Sequence, residues 1–192
     1  TSALLGADGD YSKMYTANNL DNSSYKGNNL ANIAGYTWNY KNNTTINSGW
    51  GSNTWSTSLL NKTNLNTNFI NNIGTTWANK IATVTWKVGG NTWANIGTKT
   101  SSVAYTNEIT NPVTTNTTDN ATTYSAKIGL MYVSDYGFAA DSSEWTEKLG
   151  SYKSSSKNWL YLGSIEWTIS RSSDNLYSAF YVKSGGVYST YV

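Results

Sequence analysis

A chain of 192 residues is long enough for one sizeable hydrophobic core. Charged residues make up only 12%, about half the usual share, and a net charge of +2 without a basic cluster excludes a phosphate-neutralising nucleic-acid surface. The lack of Cys and His excludes disulfides, cysteine-type metal sites and the Ser-His and Cys-His nucleophile pairs, while nine Trp and fifteen Tyr speak against disorder.

Residues 1–55 are dense in Asn, Ser and Gly and read as a loop-rich part, with one strand expected over 32–40 in "NIAGYTWNY". "GADGDYSK" near the start hints at a calcium loop, but the acid spacing is wrong and an Asx-turn around Asp8 and Asp10 accounts for it. The start also lacks the basic and apolar regions of a signal peptide, so the chain is expected to be a piece of a longer exported protein.

Over 56–192 the patterning sharpens into a core region, and the whole is expected to form one domain. Leu65, Phe69, Ile73 and Trp77 recur every fourth residue, which predicts short core-facing helices broken near Thr63 and Gly74. "IATVTWKVGG" predicts a strand with Val84, Trp86 and Val88 on one face, turning at Gly89-Gly90. "TNPVTTNTTDNATT" reads as an exposed excursion holding the only proline, and "AKIGLMYVSDYGFAA" as a buried strand running into an aromatic loop. "DSSEWTEKLG" predicts a small helix with Asp141 as N-cap, Glu144 as the reciprocal capping residue and Gly150 as the stop.

Three further strands are expected in "NWLYLG", "SIEWTIS" and "LYSAFYVKSGGVYSTYV", the last a hairpin about residues 184–186. Alternation puts Leu176, Phe180 and Val182 on one face of its first arm, and Tyr177, Tyr181 and Lys183 on the other. Trp86, Leu130, Tyr132, Trp167 and Phe180 are expected in the core. The stretch after Gly186 alternates to the last residue and suggests an edge strand that is covered either by a further strand of its own chain or by a strand from another copy.

Tyr161, Arg171, Asp174, Tyr177, Tyr181 and Tyr188 form the candidate binding set. Tyr mixed with Ser, Gly and Asn is the composition binding loops favour, because rigid aromatics give contact area and small polar residues adapt. Alternate aromatics packing a sheet is an equally direct reading of the same pattern. A glycosidase needs two carboxylates flanking one bond, and Glu166 and Asp174 have no second acid tied to them by spacing. No cofactor, metal, nucleic acid or membrane span is expected, and no enzymatic activity.

"KIATVTWKVGGNTW", "KIGLMYVSDYG", "NWLYLGSIEWTISR" and "AFYVKSGGVY" together resemble a large family of uncharacterised surface proteins of gut Firmicutes and Mollicutes-like bacteria. More loosely, Gly163, Glu166, Trp167, Thr168 and Arg171 match a strand of the C-type-lectin-like fold found in sulfatase-modifying factors and retroelement-diversified variable proteins. The resemblance implies an α+β, C-type-lectin-like domain with twisted antiparallel strands, two or three short helices and long loops. The catalytic cysteines of the sulfatase-modifying enzymes and the calcium signatures of sugar-binding lectins have no counterpart here. It further implies an extracellular, cell-surface recognition module for a glycan or a protein. A filament or surface-layer subunit and a glycoside hydrolase are the alternatives.

Overall fold

A computed structural model describes residue 38 and residues 52–58, 60–114, 121–151, 158–161, 166–183 and 185–191. The fold is mixed α+β, with sheets that pair mainly antiparallel and helices that are all short. The strands are β1 (Val84–Lys87), β2 (Gly90–Asn91), β3 (Thr123–Ala126), β4 (Glu166–Ser172), β5 (Ser178–Lys183) and β6 (Gly186–Tyr191). The α-helices are α1 (Ile70–Asn72), α2 (Thr75–Ala78), α3 (Ser101–Tyr105) and α4 (Val133–Phe138). By backbone contacts the chain divides into two compact units, the first comprising residues 1–85, 125–129 and 192, the second residues 86–124 and 130–191.

In the first unit two indoles form a nucleus. Trp38 and Trp55 are both fully buried, with ring centroids 5.3 Å apart. Polar side chains then satisfy the backbone around them: Ser58 Oγ–H donates to the Trp38 carbonyl, and the Asn61 amide donates to the Trp55 carbonyl at 2.9 Å. The helix that follows runs in π register over Leu60–Phe69 and continues without interruption into α1, so the break expected near Thr63 does not occur. Leu65 is buried, as its spacing predicts. Gly74 does end the run, at φ 79°, and the new turn α2 leaves Trp77 64% exposed rather than core-facing. Of the strand expected over 32–40, only Trp38 lies within the described residues.

The second unit holds a four-stranded sheet in the order β2-β4-β5-β6, with β2 parallel to β4 and the other pairs antiparallel. Its core is made by Ile96, Ala104, Val133, Tyr136, Ala140, Leu149, Phe180, Val182 and Val187. Phe180 and Val182 come from one face of β5 and Val187 from the facing position of β6, while α3 and α4 lay Ala104, Val133 and Tyr136 onto them. The β5–β6 hairpin follows its alternation closely, turning at Gly185 with φ 78°.

Several expectations fail for identifiable reasons. The run 126–140 is not a strand: its second half is α4, because the Asp135 carboxylate folds back to accept the Tyr132 N–H at 2.9 Å and caps a helix there. Gly89-Gly90 is not a hairpin turn, because Gly90 enters β2 beside Arg171. A Cβ on Gly90 would lie 1.9 Å from the Arg171 carbonyl oxygen, so glycine is required here for close strand approach. "NWLYLG" gives no strand in its described part, since Asn158 makes a single bridge to Ala140 and then a turn. The flanks of the Thr-rich excursion are bound in: the Gly90 N–H donates to Val113 O at 2.9 Å. Trp86, Leu130 and Trp167 are half-buried, whereas Tyr132 and Phe180 are buried. Asp141 caps its 3-10 turn by accepting the Ser143 N–H at 2.9 Å. Gly150 lies within the turn Leu149–Ser151, close against Gly97, and does not terminate a helix.

Gly90→Ala should therefore lower the stability of the folded chain by about 3 kcal/mol or more, as overpacking against backbone does. Urea denaturation measures it, and a midpoint unchanged from wild type would contradict the close approach.

Candidate binding face

The face of β5 turned away from the core carries the aromatic residues. Trp167 on β4 sits opposite Tyr181 on β5, and Tyr181 sits opposite Tyr188 on β6. Their ring centroids follow in a row, 5.9 Å from Trp167 to Tyr181 and 6.0 Å from Tyr181 to Tyr188, with interplanar angles of 60° and 36°. Directly opposed cross-strand side chains are near neighbours, so three rings in register on three adjacent strands form one strip. Trp167 and Tyr181 are half-buried and Tyr188 is 44% exposed. Gly186 makes room for the last ring, because a Cβ there would lie 3.1 Å from Cε2 of Tyr188. The hairpin is braced from the other side by Tyr136, whose hydroxyl donates to the Gly185 carbonyl at 3.0 Å.

Of the six residues expected to bind, only Tyr181 and Tyr188 come together in this strip. Tyr161 packs against the core cluster on the opposite side of the sheet. Tyr177 precedes β5, half-buried, its N–H bonded to Asn175 Oδ1 at 3.1 Å. Asp174 is exposed, but its Oδ1 accepts the Trp93 N–H at 2.8 Å and the Ser172 hydroxyl at 2.5 Å, which makes it a loop anchor. Arg171 is 1% exposed. Its guanidinium donates to the Val88 carbonyl at 3.0 Å and the Ala121 carbonyl at 2.7 Å, so it clamps β4 to the segments flanking β2 and β3 rather than facing a ligand. Trp167 replaces these as the third member. Its placement depends on strand register, which alternation within β4 alone does not supply.

Of the two acids singled out for the hydrolase reading, Glu166 opens β4 and Asp174 lies two residues beyond its end. Glu108, in the π-helical turn Thr106–Thr110, is an acid of a different setting. Burial pushes its carboxyl from 4.5 up to about 7, against the opposing influence of hydrogen bonds from Ser170 and Ser134. It is fully buried, accepting the Ser134 N–H at 3.1 Å and a long contact from the Asn91 amide at 3.5 Å. From this buried position it caps the start of α4. Asp135 is also raised by desolvation, and Tyr132 is pushed up to about 12 by burial.

Comparison of the chain with protein-family models, with curated proteins and with solved structures gave no match. Among the described residues no helix is long and apolar enough to cross a membrane.

The Glu108 carboxyl has a measurable consequence. Between pH 4.5 and about 7 the unfolded chain has released this proton while the folded chain still holds it. Folding then binds a proton, so the stability Glu108 contributes is fully present below pH 4.5 and is lost as pH rises to about 7. Asp135 contributes with the same sign. Urea melts across this range should show that fall in wild type and a flatter profile in Glu108→Gln; parallel profiles would show that Glu108 ionises as freely folded as unfolded.

Proposed function

We propose that this chain is a non-catalytic recognition module of C-type-lectin-like architecture, displayed at a cell surface, that binds an uncharged glycan through Tyr181 and Tyr188 backed by Trp167. The observation that carries the reading is the register-matched row of three rings, graded from half-buried Trp167 to exposed Tyr188. Sugar rings present C–H faces that lie flat on aromatic faces, and the rings here are held by the sheet before any ligand arrives, which limits the ordering cost of binding. The surface location rests on the sequence resemblance, and the lectin-like architecture on that resemblance together with an antiparallel hairpin sheet and short helices.

Affinity electrophoresis and calorimetry against soluble neutral polysaccharides test the site. Tyr188→Ala and Tyr181→Ala should each weaken binding by about tenfold, the scale of one aromatic stacking contact. Tyr161→Ala should leave the affinity of the folded protein unchanged. Equal retention of every variant on the gel would sink the assignment.

A further inference from the structure

A second aromatic platform lies at the other end of α4. The C-terminal carbonyls of a helix have no partner within it and must find donors elsewhere. Here three consecutive carbonyls after the last turn are met by two tryptophans. The Trp145 indole N–H is shared between Phe138 O at 3.2 Å and Ala140 O at 3.1 Å, and the Trp159 backbone N–H donates to Ala139 O at 3.4 Å. Trp159 sits in a turn set by buried Asn158, whose amide donates to Tyr136 O at 2.7 Å and whose Oδ1 accepts the Leu160 N–H at 3.0 Å.

The Trp145 indole and the Trp159 backbone are thus anchored to one helix end, and both rings are left to solvent. Trp145 is 41% exposed and Trp159 77%, the most exposed large apolar side chain among the described residues. Phe138 stands edge-on to Trp145 at 5.3 Å and 88°, and Tyr105 stands edge-on to Phe138 at 6.2 Å and 74°, which supports Trp145 from behind. Since the Trp145 N–H is already bonded, what this residue offers a ligand is ring surface.

We infer that Trp145 and Trp159, supported by Phe138 and Tyr105, form a second binding site for the pyranose rings of an uncharged oligosaccharide, separate from the Tyr181–Tyr188 strip. The surroundings favour that ligand class. Ser142, Ser143 and Thr146 are exposed beside Trp145 and supply donors and acceptors for hydroxyl groups. Exposed Glu147 and Lys148, next along the chain from Trp145, are of opposite sign. Exposed Ser142, Ser143, Thr146, Glu147 and Lys148 flank Trp145 with polar groups, unlike the apolar centre of a protein interface. Two stacking sites on one chain would let a polymeric glycan engage both, with avidity exceeding either site alone.

The test uses the full chain with cellohexaose, N-acetylchitohexaose and mannohexaose as probes, binding being read by calorimetry. Trp159→Ala removes a mostly exposed side chain and Trp145→Phe keeps a ring while losing the N–H, so both should fold, as near-ultraviolet circular dichroism can verify. The expected result is about two sites per chain in wild type, with one lost in Trp159→Ala and retained at reduced affinity in Trp145→Phe. In Tyr181→Ala/Tyr188→Ala the Trp145–Trp159 site should persist, which separates failure of one assignment from failure of the other. The inference is overturned if Trp159→Ala binds all three probes as wild type does, or if the Tyr double variant loses all binding. It is equally overturned if wild type binds none of them.

Discussion

Helix α4 is held by its first N–H groups, and the rest of the second unit is arranged around that hold. A helix start leaves several N–H donors without intrahelical partners, and burying them unsatisfied would cost more than so short a helix could recover. Here the Tyr132 N–H goes to the Asp135 carboxylate, the Val133 N–H to Ser170 Oγ at 3.1 Å and the Ser134 N–H to Glu108. These three acceptors come from the helix itself, from β4 and from the π-helical turn after α3. The capping of one helix therefore fixes three elements together. From this position Tyr136 reaches the hairpin turn and braces the aromatic strip, while the far end of the helix receives Trp145 and Trp159.

Such polar joints follow from composition. With hydrophobic residues at 38%, the chain has little aliphatic surplus and must bury amides, hydroxyls and charges. A buried polar group is tolerable when it is hydrogen-bonded, and costly when it is not. Arg171 meets backbone carbonyls, Asn158 meets Tyr136 O and Leu160 N–H, and Asn66 exchanges two bonds with the backbone of Ile128, at 2.9 and 3.0 Å. Aromatic rings fill the volume that Leu and Ile supply elsewhere, as the Trp38–Trp55 pair does in the first unit. The same economy leaves other rings on the surface, where they become the candidate contacts.

What the sequence disclosed was local. The β5–β6 hairpin, its turn and its two faces are legible in the alternation of Phe180, Val182 and Tyr181, because a strand has a period of two and a glycine turn marks its end. Asp141 as an N-cap is legible for the same reason, since the cap and its partner lie within three residues. What required tertiary structure was not legible. Helix α4 hides behind a Tyr at its N-cap position, a residue seldom found there. Gly90 resembles a turn glycine until β4 is seen lying against it. Arg171 looks available until the carbonyls of Val88 and Ala121 close around it, from segments 83 and 50 residues away. Glu108 gave no signal, because neither Asn91 nor Ser134 is near it in sequence.

The account rests most heavily on a ligand reaching the outer face of the β4–β5–β6 sheet while the core beneath stays still. Methyl and aromatic ring resonances, followed by heteronuclear NMR during a titration with a neutral oligosaccharide that binds, would test this directly. The account predicts that the ring resonances of Tyr181 and Tyr188 move together and saturate, with a smaller change at Trp167 and none at Phe180 or Val182 on the inner face. Saturable shifts confined to residues remote from both aromatic platforms, with Tyr181 and Tyr188 unmoved, would contradict it.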